Sequence, residues 1–254
     1  MTKQITRAMW TLCACAIAFL FVSVLAHPRA ESQEPQQPTS TPREVRGASV
    51  KSKADLRAKT DDEKARARFF DRYGADPLEP GDTAVIGPGT PAPPIPPGVP
   101  LPTVDQFLEY LACSPQMVVL GRAEQRATRL NQRGTYLFTD YDVDVERWLR
   151  PEQGAPSLKL SISGGRVTIG GRPTIAGAQD SLDPTKRYIF FLQHIPGSGS
   201  LTPVRPPLAD GDRWATAVRE LSLIPELADA NVRLESLADD LSRLGRTCAP
   251  GRGR

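Results

Sequence analysis

A chain of 254 residues with only two histidines and four cysteines carries no HExxH, CxxC or paired-histidine spacing, which argues against a transition-metal enzyme. Of its 32 basic side chains, Lys3 and Arg7 lie in an apparent leader, leaving 30 against 29 acidic ones. That balance argues against nucleic acid as a partner, which would need clustered positive charge.

Residues 1–26 read as a signal peptide. A basic start is followed by an apolar run over 8–26, and Val24 and Ala26 sit where a signal peptidase accepts short side chains, so cleavage is expected before His27. The alternative is an uncleaved membrane anchor, for which the run barely reaches the roughly 20 residues needed. The expected localisation is export: periplasmic, cell-surface or secreted. Two cysteines survive cleavage, Cys113 and Cys248. In an oxidising compartment an even pair favours a disulfide, with an expected stabilisation of roughly 4 kcal/mol for so long a loop.

Residues 27–50, rich in Pro, Gln, Ser and Thr, hold too few large apolar side chains to build a core and read as a disordered tether. Residues 51–74 are dense in charge and helix formers, which predicts a charged helix ending at Gly74 and laid on the domain. Residues 75–103 read as a stiff linker, with eight prolines in 86–103. Thr103 is placed to cap a short helix that carries Val104, Phe107, Leu108 and Leu111 on one side.

From Met117 the period becomes that of strands. Five are predicted: MVVLGRAEQRA with a bend at Gly121, a long one over 135–148, SLKLSISGG, RVTIGGRPTI, and the nearly all-apolar KRYIFFLQHI. Five strands in so short a stretch predict a fold that is mainly β with helical cover. Its centre is a small five-stranded OB-like antiparallel barrel over 104–195, followed by a loop over 196–211. Residues 212–245 read as C-terminal helices. Asp212 is placed to cap the first, which carries Trp214, Val218 and Leu221; Pro225 and Gly245 bound the second, and 246–254 form a tail. Leu227, Ala230, Leu234, Leu237, Leu241 and Leu244 recur at spacings of three and four. This seam either packs on the barrel, the preferred reading, or associates with a second copy, so a monomer is favoured and a dimer is possible.

In the long strand, alternation puts Asp140, Asp142, Asp144 and Glu146 on one face and Tyr141, Val143 and Val145 on the other. The acids are expected to be a solvated face, with a partner site or a calcium site completed by a second segment as alternatives. His194, near Ser198 and Ser200, lacks the GxSxG context of a nucleophile elbow. The glycine pairs 164–165 and 170–171 lack the strand-to-helix setting of a phosphate loop and read as turns or bulges. No catalytic residue and no cofactor is therefore assigned.

The segments CSPQMVVLGRA at 113–123, YLFTDYDVDVERWL at 136–149 and KRYIFFL at 186–192 together resemble the netrin-like domain, a group that includes the tissue inhibitors of metalloproteases. The likeness spans about residues 113–195. It implies an OB-type barrel whose first strand follows a cysteine, and at most a binding role. Gln116 stands where that group has aspartate, and the further cysteines of the animal domains are missing. Cys113 lies deep in the chain, so the zinc-chelating terminal cysteine of the inhibitors has no equivalent. The leading expectation is a non-enzymatic exported module that binds a protein or glycan at the cell envelope. The alternatives are an assembly protein joined through the leucine seam and an unrecognised hydrolase or metal-dependent enzyme.

Overall fold

A computed structural model describes residues 48–84, 103–177, 181–213 and 230–248. The expected signal peptide, most of the tether, the proline run and residues 214–229, which include Leu227, lie outside the described residues.

Two strands of equal length dominate the molecule, β3 (Met117–Leu130) and β4 (Leu137–Arg150). They pair antiparallel along their whole length, with register shifts near Gly121 and Arg126. Gly121 is required by close approach, because a Cβ there would sit 2.3 Å from the Asp144 carbonyl oxygen. On β4 follows β5 (Ser157–Ser163), and on the other side of β3 lies β8 (Tyr188–His194). The ring is closed by β9 (Leu201–Pro203), antiparallel to β8 and parallel to β5 at Leu160 and Leu201. A two-residue strand, β10 (Leu208–Ala209), pairs outside the ring on β8. The ring is thus a closed five-stranded mixed barrel of OB-like type.

Its interior is filled by alternate side chains, among them Val119, Tyr141, Val143, Leu160, Phe190 and Leu192. Strands β3 and β8 are covered on both faces, which is why β8 reads as an unbroken apolar run. Their outward residues Val118, Leu120, Ile189 and Phe191 pack under two helices, α2 (Val104–Cys113) and α3 (Leu234–Gly245). Thr103 caps α2 as expected: its Oγ1 accepts from the Gln106 amide at 3.3 Å, and the Gln106 side chain accepts from the Thr103 amide at 3.0 Å. The Cys113–Cys248 disulfide joins the end of α2 to the segment after α3, with the Cα atoms 5.5 Å apart.

Several expectations are corrected. The RVTIGGRPTI stretch is not a barrel strand but a hairpin, β6 (Gly165–Ile169) and β7 (Arg172–Ala176), turning at Gly170 and Gly171, both with positive φ. The barrel's fifth strand is β9 instead, within what reads as the 196–211 loop. Three residues between Gly, Ser and Pro are too few to show a period of two.

The tether and the linker each contribute a strand to a second sheet of order β1-β6-β7-β2. Here β1 is Ala48–Val50 and β2 is Thr83–Ala84, both parallel to the hairpin. The charged stretch 51–74 is not one helix. It divides into a 3-10 turn at Lys53–Leu56, α1 (Asp61–Phe69), and a second 3-10 turn at Phe70–Arg72. The break has a local cause: Thr60 and Glu63 form a reciprocal capping box that starts a new helix.

The last helix starts at Leu234 rather than near Pro225. Before it, the backbone pairs with the 211–213 segment through an Arg213–Asn231 bridge and a Val232 amide bond to the Asp212 carbonyl at 2.7 Å. Asp210 caps the helix from a distance, accepting from the Leu234 amide at 3.0 Å. The Asp212 side chain closes a turn by accepting from the Ala209 amide at 2.7 Å.

The disulfide closes a sequence separation of 135 residues, for which the chain-entropy model gives about 5 kcal/mol if no strain offsets it. Cys113→Ser and Cys248→Ser should therefore lower the urea midpoint equally, and reduction of the native protein should match either. Thiol titration of the unreduced protein should find neither cysteine free; two reactive thiols would refute the bridge.

Candidate functional site

In OB-like barrels the face of the second and third strands, with the loops between strands one and two and strands four and five, is the usual ligand surface. Here those parts are the β4–β5 face, the turn at 131–136 and the turn at 195–200. Residues 60–73 of the chain's own N-terminal segment lie on all three.

The contact is built on Asp140. Its carboxylate accepts from Ser161 Oγ at 2.5 Å and from Arg129 Nε at 3.1 Å. Arg66 of α1 reaches the same carboxylate, with Nε 3.2 Å from Oδ1 and Nη2 3.3 Å from Oδ2. The two side chains are nearly out of water, at 8% and 13% exposure. Arg66 also pairs with Asp62 one turn earlier and donates to the buried Ser200 hydroxyl at 3.1 Å. Arg129 carries the network on to Glu63 at 2.5 Å.

The flanking turns are held by the same segment. Asp62 accepts from the Ser198 hydroxyl at 2.7 Å and the Gly199 amide at 2.9 Å, which fixes the turn at 195–200. Asn131, fully buried, donates to the carbonyls of Phe70 and Tyr73 and accepts from the Thr135 and Tyr136 amides. Phe70 stacks on Phe138 with ring centres 4.8 Å apart.

Burial opposes ionisation of Asp62, but the bonds from Ser198 and Gly199 and the charge of Arg66 outweigh it and hold the carboxyl below its ordinary range. Glu63 follows the same pattern: burial is overcome by the Lys59 and Thr60 amides and then by Arg129 and Arg66. Both stay ionised at neutral pH. Burial, with Tyr73 nearby, pushes the Tyr136 hydroxyl up to about 12.

The four acids do share the outward face, and the expectation of a solvated face is corrected at Asp140, whose side chain is only 13% exposed within the network. Asp142 pairs with Arg126 at 2.6 Å, and Glu146 lies between Arg122 at 3.0 Å and Arg187 at 2.6 Å. Arg187 continues to Glu235 at 2.6 Å and Arg147 to Asp239 at 2.8 Å, both on α3. Asp144 and Glu146 stay exposed. Guanidinium groups thus pair with Asp140, Asp142 and Glu146. Among the described residues no cluster of His, Cys, Asp or Glu could hold a metal ion.

Other expected site residues separate in the same way. Ser198 turns to Asp62 and Ser200 to Arg66, while the His194 amide bonds to the Gln116 side chain at 2.9 Å. The described part of the leucine seam is directed inward, as the preferred reading expects. Leu234, Leu237 and Leu241 are buried against α2 and the barrel, and Ala230 and Leu244 pack beside them. Among the described residues no helix is long and apolar enough to cross a membrane.

The sequence reading missed Arg66, Asp62, Glu63, Arg129, Ser161 and Asn131. A usable signal existed in Ala65 and Ala67, small residues on either side of Arg66 that permit close packing, but apolar periodicity gives no weight to a buried arginine.

The chain matches no known protein family, no curated protein and no solved structure. Of the netrin-like expectation, the structure carries the barrel.

Two measurements test the network. Arg66→Leu leaves Asp140 buried with one partner fewer and should destabilise by about 3–5 kcal/mol, as breaking a buried pair does. Asp144→Asn should stay within about 0.5 kcal/mol. Equal effects in urea melts would refute the assignment. Because the Asp62 and Glu63 carboxyls are held low, their stabilisation is complete above the unfolded value of about 4 and is lost as pH falls toward the folded values. Acid titration of stability should thus fall below about pH 4, and less steeply in Asp62→Asn/Glu63→Gln.

Proposed function

We infer that the chain is an exported, non-enzymatic binding module that engages a protein or glycan at the cell envelope. The observation that carries this reading is the hydrogen bonding that orders both turns at one end of the barrel. The turns at 131–136 and 195–200 are fixed by side chains of the same chain, with Asn131 and Asp62 each anchoring one of them. A surface ordered before it meets a partner pays no ordering entropy on binding.

The electrostatics favour binding over acid–base chemistry. A catalytic acid or base works with a pKa near the operating pH. Asp62, Glu63 and Glu146 are instead held in the charged form by hydrogen bonds and arginines, and Tyr136, Tyr141 and Tyr188 are held in the neutral form by burial. Export is supported by the leader-like segment and by the Cys113–Cys248 bridge. The netrin-like pattern around Cys113 adds support for a binding role on a barrel of this kind.

The test is capture from the native envelope fraction with the immobilised mature chain. A discrete component should be retained, displaced by free mature chain, and protected from exchange at one contiguous surface. Turnover in a panel of ester, peptide and glycoside substrates that is abolished by Ser198→Ala would sink the binding reading in favour of a hydrolase.

A further inference from the structure

We propose that the cleft between α1 and the β3–β4 turn docks an extended acidic segment of a partner protein. The inference rests on the binding-module reading and names the partner's chemistry.

The cleft has a volume of about 170 Å³ and is lined by Arg57, Lys64 and Arg68 above a floor that includes Ala58, Ala67 and Leu130. Pockets for whole small molecules span roughly 300–1,000 Å³. This one takes a single side-chain-sized group, so its ligand is part of something larger that continues along the surface.

All three charged residues in the lining are cations. Arg57 is pinned, with Nη1 donating to the Gln132 carbonyl at 2.9 Å, which leaves its other N–H groups unused by that bond. Lys64 has one partner, Asp61, at 3.0 Å; the Asp61 side chain is fully exposed and competes weakly. Arg68 is exposed and has no partner among the described residues.

The spacing selects the form of the ligand. Lys64 and Arg68 are one helical turn apart, about 6 Å along the axis. In an extended chain alternate residues are about 6.7 Å apart and point the same way. A strand-like segment with carboxylates at alternate positions therefore meets both cations, and its flanking stems lie on the apolar floor. The described cleft lining contains no aromatic ring on which a sugar would stack, which favours peptide over glycan.

The probe is a short fluorescein-labelled peptide of alternating Glu and Thr, titrated by anisotropy into the whole exported chain. Saturable binding that weakens with salt is expected. Lys64→Glu/Arg68→Glu should weaken it on the order of tenfold or more without lowering the melting temperature. The milder Arg68→Gln gives a partial loss should the double variant prove unstable. Equal binding by the variants, equal binding of a Gln–Thr peptide, or no saturable binding would overturn the proposal. So would binding of heparin or phosphatidylcholine–phosphatidylglycerol vesicles that needs Lys64 and Arg68 while the peptide stays free.

Repeating the envelope capture separates the two readings. A component retained by the wild type, lost by the double variant and eluted by the Glu–Thr peptide supports the cleft. A component retained equally by both removes the cleft and leaves the binding module standing. No component retained and no peptide bound removes both.

Discussion

The covered barrel face depends on one charge, the Arg66 guanidinium. A cation held at 8% exposure has given up its water, and the cost is recovered only if carboxylates and hydroxyls stand where its N–H groups point. Asp140 on the barrel, Asp62 on the same helix and Ser200 on the far turn meet that demand at the two terminal nitrogens, while the buried Nε lies 3.2 Å from Asp140 without a hydrogen bond. Against a well-packed apolar residue such an arrangement is near break-even in stability, so its main effect is on register. Moving α1 by one residue would swing Arg66 about 100° around the helix and leave Asp140 with only Arg129 and Ser161. The network thus acts as a key that permits one seating of residues 60–73 on the barrel.

That seating also explains why the β3–β4 hairpin is so long. Its middle lines the barrel with Val119, Tyr141 and Val143. Its tip supplies Leu130, Tyr136 and Leu137 to the second sheet, where β1 and β2 from the N-terminal segment are paired. Its base places Val118, Leu120 and Leu149 under α2 and α3, which the disulfide joins near their C-terminal ends. One ribbon serves three cores, and the surface arginines continue the coupling from β3, β4 and β8 to Glu235 and Asp239 of α3. Exposed pairs of this kind are individually weak; they supplement the apolar contact that β3, β4 and β8 already make with α3.

What was legible in the sequence was whatever repeats locally. The alternation of β4 and β5, the apolar run of β8, the Thr103 cap and the even pair of cysteines are each set by near neighbours, and each fixed an element correctly. Residues whose structure depends on distant partners were not legible. The three residues of β9 and the short β1 and β2 are strands only because β8, β6 and β7 offer unpaired edges. The start of α3 is delayed because residues 231–232 pair with 211–213 instead of coiling. Asp140 read as solvated because no local rule announces the arginine that arrives from α1. Arg66, the centre of the candidate site, is polar by type and buried by context.

The same helical period that hides one face of α1 exposes the other. Asp62 and Arg66, four apart, share the side directed at the barrel. Lys64 and Arg68, also four apart, are offset from them by two residues, about 200° around the axis, and line the cleft beside the β3–β4 turn. A segment that fills the usual ligand surface of an OB-like barrel therefore leaves its own far side as the surface presented there. The inner pair fixes the helix against sliding, so the outer cations are presented at a set spacing rather than on a mobile tether. The cations that line the cleft are tied to the barrel through the helix that carries Arg66 and through the Arg57 bond to Gln132, so the seating of that helix sets where they stand.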